Sequence, residues 1–362
     1  MINRRQFTFL CGSAVFGQTP TDRVELDWHD ATKLTVEGLG FSDVKSPYDR
    51  LPARAEGVVR QAVWDLSRDS AGVLVRFTAN TPLLRARWTL TKTRLAGVNM
   101  TAIAASGLDL YTKTGPGKWR WLGVGRPSSV PATEDVLANG LPKGDREYTL
   151  YLPLFNGVTS LEVGVPKGTA LGPGSPRPAG RKPIVFYGTS ITHGASASRA
   201  GMTHVAILGR MFDRPVINLG FSGNGRMELE MTKLLAELDP AVFVLDCLPN
   251  MTAKVIEERA EACVKLLRGA RPSTPILLVE DRNYPNGFLI AALRERNETN
   301  HAAMRAVYER LRQANTGNLH YLKADDLLGE DGEGTTDGSH PNDLGFVRQA
   351  QAFAKPLRKL LK

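Results

Sequence analysis

The sequence predicts an α/β protein, a doubly wound parallel sheet of five strands preceded by an all-β sandwich or jelly roll. Three observations carry this. Between Asp22 and Pro166 apolar residues recur with a period of two, and clusters of Gly, Pro and Asn separate the runs. From Lys167 to Gly180 Gly and Pro dominate and the periodicity vanishes, as in a linker. Beyond Pro183 short apolar runs alternate with segments of helical period, the pattern of βα units sharing one parallel sheet. The chain divides accordingly into an N-terminal segment over 1–18, a β domain over 22–166, a linker over 167–182 and an α/β domain over 183–362.

A length of 362 residues allows two domains with cores of their own. Hydrophobic residues at 42% and charged ones at 23% describe an ordinary soluble globular protein. The formal net charge of +9 is dispersed, and no basic run suits a phosphate-tracking groove, which argues against a nucleic-acid partner. Three cysteines, at 11, 247 and 263, are too few for a disulfide scaffold. Cys247 ends an apolar strand and Cys263 lies on an amphipathic helix, so both read as small core hydrophobes. Asn3-Arg4-Arg5-Gln6-Phe7-Thr8-Phe9-Leu10 resembles a twin-arginine export signal, with an apolar stretch to Phe16 and a candidate cleavage site at Val15-Phe16-Gly17. Export to the periplasm or the medium is expected; the alternative is a disordered cytoplasmic N-terminus. No run reaches the ~18 apolar residues of a membrane span.

Within the β domain, Val73, Val75 and Phe77 alternate with Leu74, Arg76 and Thr78. Leu84, Ala86, Trp88 and Leu90 alternate with Arg85, Arg87 and Thr89, a half-buried strand with a basic outer face. The same period recurs over 148–154 and 161–165, and no helical stripe is expected here. Trp119 and Trp121 share one strand face and fit either packing or a sugar platform.

The first strand of the α/β domain is bounded by Pro183 and Gly188 and runs into Gly188-Thr189-Ser190. Reactive groups gather at that end of a parallel strand, although a serine there also serves as a turn former or helix cap. Further on, Asp337-Gly338-Ser339-His340 offers a base and its orienting carboxylate in one short loop, the two partners that a serine nucleophile needs. A second strand-to-glycine turn, Asn218 to Gly225, aims bare backbone at the same crevice, and a third strand ends at Asn250, an amide able to donate to an oxyanion. The remaining strands are expected near 215–219, 241–246, 275–280 and 319–323. Helical faces follow from Met227, Met231, Leu234, Leu235 and Leu238, then from Ile256 to Leu267, and then from Ala303 to Leu311. A closing helix over 344–361 is expected to break at Pro356.

These blocks resemble the SGNH (GDSL-like) hydrolase superfamily: Gly188-Thr189-Ser190-Ile191-Thr192 its first, Gly223 its second, Asn250 its third, and Asp337-x-x-His340-Pro341 its last. The resemblance implies Ser190 as nucleophile, His340 as base and Asp337 as its orienter. It also implies an oxyanion hole from the Ser190 and Gly223 N–H groups and the Asn250 side chain, and a flavodoxin-like strand order 2-1-3-4-5. Thr189 stands where the family usually has Asp, so the turn lacks that carboxylate. Upstream, Ser106-Gly107-Leu108-Asp109-Leu110-Tyr111 resembles the GxDLY signature of a β domain that precedes some of these hydrolases, with Asp109 either structural or functional.

Other candidates weigh less. His193 reads as a polar turn or rim residue. His204, His301 and His320 lack ligand-spaced partners, so no metal is expected. Glu330 to Gly334 lacks the spacing of a calcium loop, and Gly220-x-x-Gly223-x-Gly225 is not a dinucleotide fingerprint, so no cofactor is expected either. Asp281 to Gly287 either touches substrate or is an ordinary polar loop. Thr192, His193, Ser196, Ser198, Arg199, Asn224 and Arg226 surround the serine with polar groups. The expected activity is that of a serine esterase removing a small acyl group, acetyl first, from an extracellular acylated carbohydrate. A lipid or thioester acylhydrolase, an acyltransferase and a non-catalytic carbohydrate-binding protein are the alternatives.

Overall fold

The computed structural model describes residues 24–116 and 118–361. The export segment expected over 1–18 lies outside them. The N-terminal half contains β1 (Leu26–Asp30), β2 (Thr35–Glu37), α1 (Gln61–Ser67), β3 (Leu74–Ala79), β4 (Leu83–Leu90), α2 (Ala102–Ser106) and β5 (Leu108–Gly115). It continues with β6 (Lys118–Gly125), β7 (Ala132–Asn139), β8 (Arg146–Tyr151), β9 (Val158–Pro166) and β10 (Leu171–Pro173). One antiparallel sheet orders its strands β1-β9-β4-β7; the other runs β10-β3-β8-β5-β6, with β2 on β3. The alternating residues Val75, Phe77, Leu84, Ala86, Trp88, Leu150 and Val163 meet in one core between the sheets. Outside it, Arg87 pairs with Glu162 and covers the Trp28 ring. The segment read as a linker supplies β10, which pairs with β3.

The second half contains β11 (Ile184–Gly188), α3 (Ser190–His193), α4 (His204–Met211), β12 (Val216–Gly220), α5 (Leu229–Glu237) and β13 (Val242–Asp246). After these come α6 (Ala253–Ala270), β14 (Ile276–Val279), α7 (Ala291–Gln313), β15 (Leu319–Leu322) and α8 (Asp343–Leu360). All five strands are parallel in the order β12-β11-β13-β14-β15, the expected 2-1-3-4-5. Alternate strand residues divide between two cores. Ile184, Phe186, Val242 and Val244 face α4 and α8, whereas Val185, Tyr187, Phe243 and Leu245 face α5, α6 and α7. Cys247 and Cys263 are buried free thiols in the latter core.

Three expectations need correction. The N-terminal half does contain helix: between β2 and β3 the chain leaves the sandwich, and Phe41, Leu51, Ala55, Val59, Val63 and Trp64 join the core under the parallel sheet. Ala55, Val59 and Val63 are spaced by four, but a 3-10 turn, a coil and the seven-residue α1 share the stripe, so no window long enough for a helical signal survives. Met227 does not open α5; it has φ +51 and precedes the helix. α8 runs unbroken through Pro356, because Phe346, Phe353 and Leu357 bury one continuous face and outweigh one missing hydrogen bond.

The halves dock through a third apolar layer in which Met100, Ala104, Tyr111, Tyr151 and Leu154 meet Ile191, Ala195, Ala200 and Phe346. At its edge Asp109 accepts hydrogen bonds from Gly201 N (2.7 Å), Arg199 Nη1 (2.9 Å) and Trp121 Nε1 (3.1 Å). Burial raises the Asp109 carboxyl above its usual value although Arg199 opposes the shift. Asp109 and Tyr111 of the Gly-x-Asp-Leu-Tyr stretch therefore fasten one half to the other. Trp121 gives its N–H to Asp109 and has the Arg199 guanidinium over its ring but stays half exposed, whereas the partly buried Trp119 lies under Lys113.

Candidate active site

Ser190 opens α3 at the carboxyl end of β11, between β12 and β13. Thr189 closes the turn that lacks the usual carboxylate: its Oγ1 accepts from the Ile191 N–H at 3.3 Å and caps the helix. The second glycine turn packs directly on the first. A Cβ on Gly225 would stand 1.9 Å from the Gly188 carbonyl oxygen, so only bare backbone fits there.

The loop before α8 folds back on itself through a bridge between Thr335 and Pro341. Asp337 Oδ1 accepts from the N–H groups of Ser339 (3.1 Å) and His340 (2.8 Å). Its Oδ2 accepts from His340 Nδ1–H at 2.7 Å, and the Ser190 hydroxyl donates to His340 Nε2 at 2.9 Å. Burial opposes the Asp337 charge, yet the backbone N–H of His340, its imidazole and the Ser339 N–H outweigh it and hold the carboxyl below its ordinary value. Ser190 itself is 8% exposed.

Gly223 and Asn250 make no hydrogen bond to Ser190 among the described residues. Gly223 has φ +70, is exposed, and its N–H has no hydrogen-bond partner among the described residues. The Asn250 amide lies against the N–H groups of Asn224 (3.0 Å) and Gly225 (3.2 Å), so its orientation is assigned with Oδ1 toward these donors, which leaves Nδ2 to donate. Asn250 thus sits on the turn that Gly225 presses against Gly188.

His193 is not a rim residue. It is fully buried, stacked on Phe155 at 4.1 Å, with Asp69 and Arg50 nearby, and burial followed by the Arg50 and Lys92 charges holds its pKa well below the usual value. Thr192 is equally buried and donates to Asp246 Oδ2 at 2.9 Å. Asp281 and Arg282 do not face substrate either. Arg282 forms a buried fork on Asp246 and also donates to Gln349 of α8, while Asp281 pairs with Arg296.

Two contributors went unread in the sequence. Asn99, in the loop before α2, donates to Asp337 Oδ2 at 3.4 Å. Arg50, fully buried, donates to the carbonyls of Asn218 (3.1 Å) and Gly220 (2.7 Å) and so braces the strand that leads to Gly223. Neither lies in a motif; only the packing of distant segments brings them here. Among the described residues no group of three or more His, Cys, Asp or Glu side chains is placed to hold a metal.

A hydroxyl bonded to an imidazole, whose other nitrogen donates to a carboxylate, is set to lose its proton as it attacks a carbonyl carbon. At the strand-end crevice of a parallel sheet, this is the equipment of a carboxylic ester hydrolase. The profile of the GDSL-like lipase/acylhydrolase family matches residues 181–358, and that of the GxDLY N-terminus of SGNH-hydrolase-type esterases matches 26–171. A crystal structure described as a GDSL-like lipase from Bacteroides ovatus is 37% identical over 93% of this chain and 98% of its own, with a TM-score of 0.88. The chain belongs to the GDSL-like lipase/acylhydrolase family. More distantly, the fold is shared with the salicylyl-acyltransferase SsfX3 of a tetracycline biosynthetic pathway (20% identity, 92% and 97% covered, TM-score 0.72). It is also shared with a family two carbohydrate esterase from Cellvibrio japonicus (12% identity, 93% and 98% covered, TM-score 0.59). No curated protein matches the chain in sequence.

Proposed function

We propose that this protein is a serine esterase that removes small acyl groups, acetyl above all, from an extracellular carbohydrate. The observation that carries the reading is the unbroken hydrogen-bond chain from Ser190 through His340 to Asp337. Ser190 Oγ attacks the ester carbonyl carbon while His340 Nε2 takes its proton. The sugar hydroxyl leaves with that proton as the acyl-enzyme forms. Water, deprotonated by the same nitrogen, then releases the acid and restores Ser190. The N–H groups of Ser190 and Gly223 and the Asn250 amide receive the developing oxyanion.

Support for a hydroxylated leaving group comes from the groups around the crevice. Thr192 and His193 are buried and drop out of that set, but Ser198 and Arg226 are exposed and Asn224 is half-buried. A carbohydrate esterase of the same fold adds support from outside the chain. Export rests on the Arg4-Arg5 segment alone.

Ser190→Ala and His340→Ala are each expected to abolish p-nitrophenyl acetate cleavage with folding intact. Wild type is expected to prefer acetyl over butyryl over octanoyl esters and to release acetate from an acetylated polysaccharide. Wild-type rates in the Ser190 variant would sink the nucleophile. A preference for octanoyl esters with no acetate release would make the protein a lipid acylhydrolase.

A further inference from the structure

The loop between β14 and α7 turns through Pro285–Phe288 and leaves three consecutive apolar side chains in water: Phe288 (77% exposed), Leu289 (79%) and Ile290 (46%). An isolated exposed apolar residue is ordinary, but three in a row beside a functional crevice are not. Between this loop and the turn bearing Asp337 lies a shallow, open depression of about 330 Å³, bordered by Asn286, Phe288, Thr335 and Asp337. The Asn286 amide is near enough that a Cβ on Gly338 would meet it at 3.7 Å. Phe288 also borders a second depression of about 340 Å³, whose walls carry Asn283, Asp325 and Glu330. One exposed ring is therefore shared by two depressions, and one of those reaches the Asp337 loop.

The surroundings of that ring select its occupant. An acyl chain laid here would strip water from Asn286, Asp325 and Glu330 and return no hydrogen bonds. A sugar ring offers its C–H face to Phe288 and its hydroxyls to those same groups. Asp326 and Asp331 are paired with Lys355 and Arg348, whereas Asp325 and Glu330 have no ion-pair partner among the described residues. These two carboxylates stand on the wall of the second depression itself and disfavour a uronate or sulfated chain there, although Lys323 and Arg294 lie close by. Two depressions meeting at one residue give room for more than one sugar ring.

Building on the esterase reading above, we propose that Phe288 is the stacking platform of a subsite for an uncharged polysaccharide, which makes the substrate a polymer rather than an acetylated monosaccharide. Phe288→Ala is expected to lower kcat/KM on acetylated xylan about tenfold. Rates on glucose pentaacetate and p-nitrophenyl acetate should stay within about twofold of wild type. An unchanged rate on xylan, or an equal fall on all three substrates, would overturn the proposal. A fall confined to p-nitrophenyl octanoate would also overturn it and assign the face to an acyl chain. Binding is read separately, as retardation of the Ser190→Ala chain in native gels containing deacetylated xylan or polygalacturonate. Retardation by xylan that disappears when Phe288→Ala is added supports the subsite. No retardation, retardation indifferent to Phe288, or stronger retardation by polygalacturonate contradicts it. If wild type frees no acetate from xylan while gel binding depends on Phe288, the subsite stands and the acetyl-ester reading falls.

Discussion

His204 stands in a cage of Phe186, Phe346 and Phe353, and neither ring nitrogen has a hydrogen-bond partner among the described residues. Burial, and then the Arg282 charge, push its pKa well below the usual value, so the folded protein keeps this imidazole neutral. The unfolded chain takes up a proton near pH 6.5, and stability from this residue is therefore lost as pH falls below that value. His204→Phe removes the titration and keeps the aromatic stacking. Between pH 7.5 and 5.5 the stability difference should shift by about 1.4 kcal/mol in favour of the variant, measured by urea unfolding at both values. A difference independent of pH would show that the imidazole is charged or hydrated in the fold. Residues of this kind mark how far sequence reasoning reaches. That Ser190, His340 and Asp337 come together could be anticipated, because each sits in a short segment whose spacing suits that contact. His193, one helical turn beyond Ser190, was misread: its polarity suggested a rim, and its burial depends on Phe155, contributed from the β half.

At the scale of elements, the Asp246–Arg282 pair ties together the carboxyl ends of β13 and β14. Asp246 also holds Thr192 of α3, and Arg282 holds Gln349 of α8. The helix that starts with Ser190 and the helix that follows His340 are thus referred to one buried ion pair. Arg282→Met leaves the carboxylate buried and alone and should cost about 3–5 kcal/mol in chemical denaturation. Combining it with Asp246→Leu should recover most of that loss, since two apolar groups leave no orphaned charge. A double variant no more stable than Arg282→Met would locate the cost in packing instead. The five strands and their order could be read from apolar runs and βα alternation. This strut could not, because an Asp at a strand end and an Arg in a loop are ordinary in any sequence. The same limit hid the role of β5, whose Asp109 and Tyr111 alternate like any strand residues and reveal a docking function only against Arg199 and Gly201.

At the scale of the whole molecule, the sequence invites a cut near Lys182, where composition changes and the expected linker ends. The core does not respect that cut. Six apolar residues between Phe41 and Trp64 lie under the parallel sheet, and Arg50 caps carbonyls at the end of β12. A chain beginning at Lys182 would expose that face, losing roughly 1.5–3 kcal/mol for each large side chain removed from it. Expression of residues 182–362 alone is expected to give insoluble protein, or a soluble form that binds ANS and melts without a cooperative transition. A sharp thermal transition from that fragment would show that the α/β half is self-sufficient.

Arg50 carries a consequence for how the molecule is made. It lies 168 and 170 positions before the two carbonyls it holds. At the pace of translation, roughly 5–20 residues per second, it leaves the ribosome some ten to thirty seconds ahead of them. Throughout that interval Arg50 can reach only its near partners, the Leu66 and Asp69 carbonyls, and the apolar side chains around it lack the sheet they pack under. The nascent chain must be shielded until β12 emerges, so the order in which this protein is written sets a waiting time that its finished shape no longer displays.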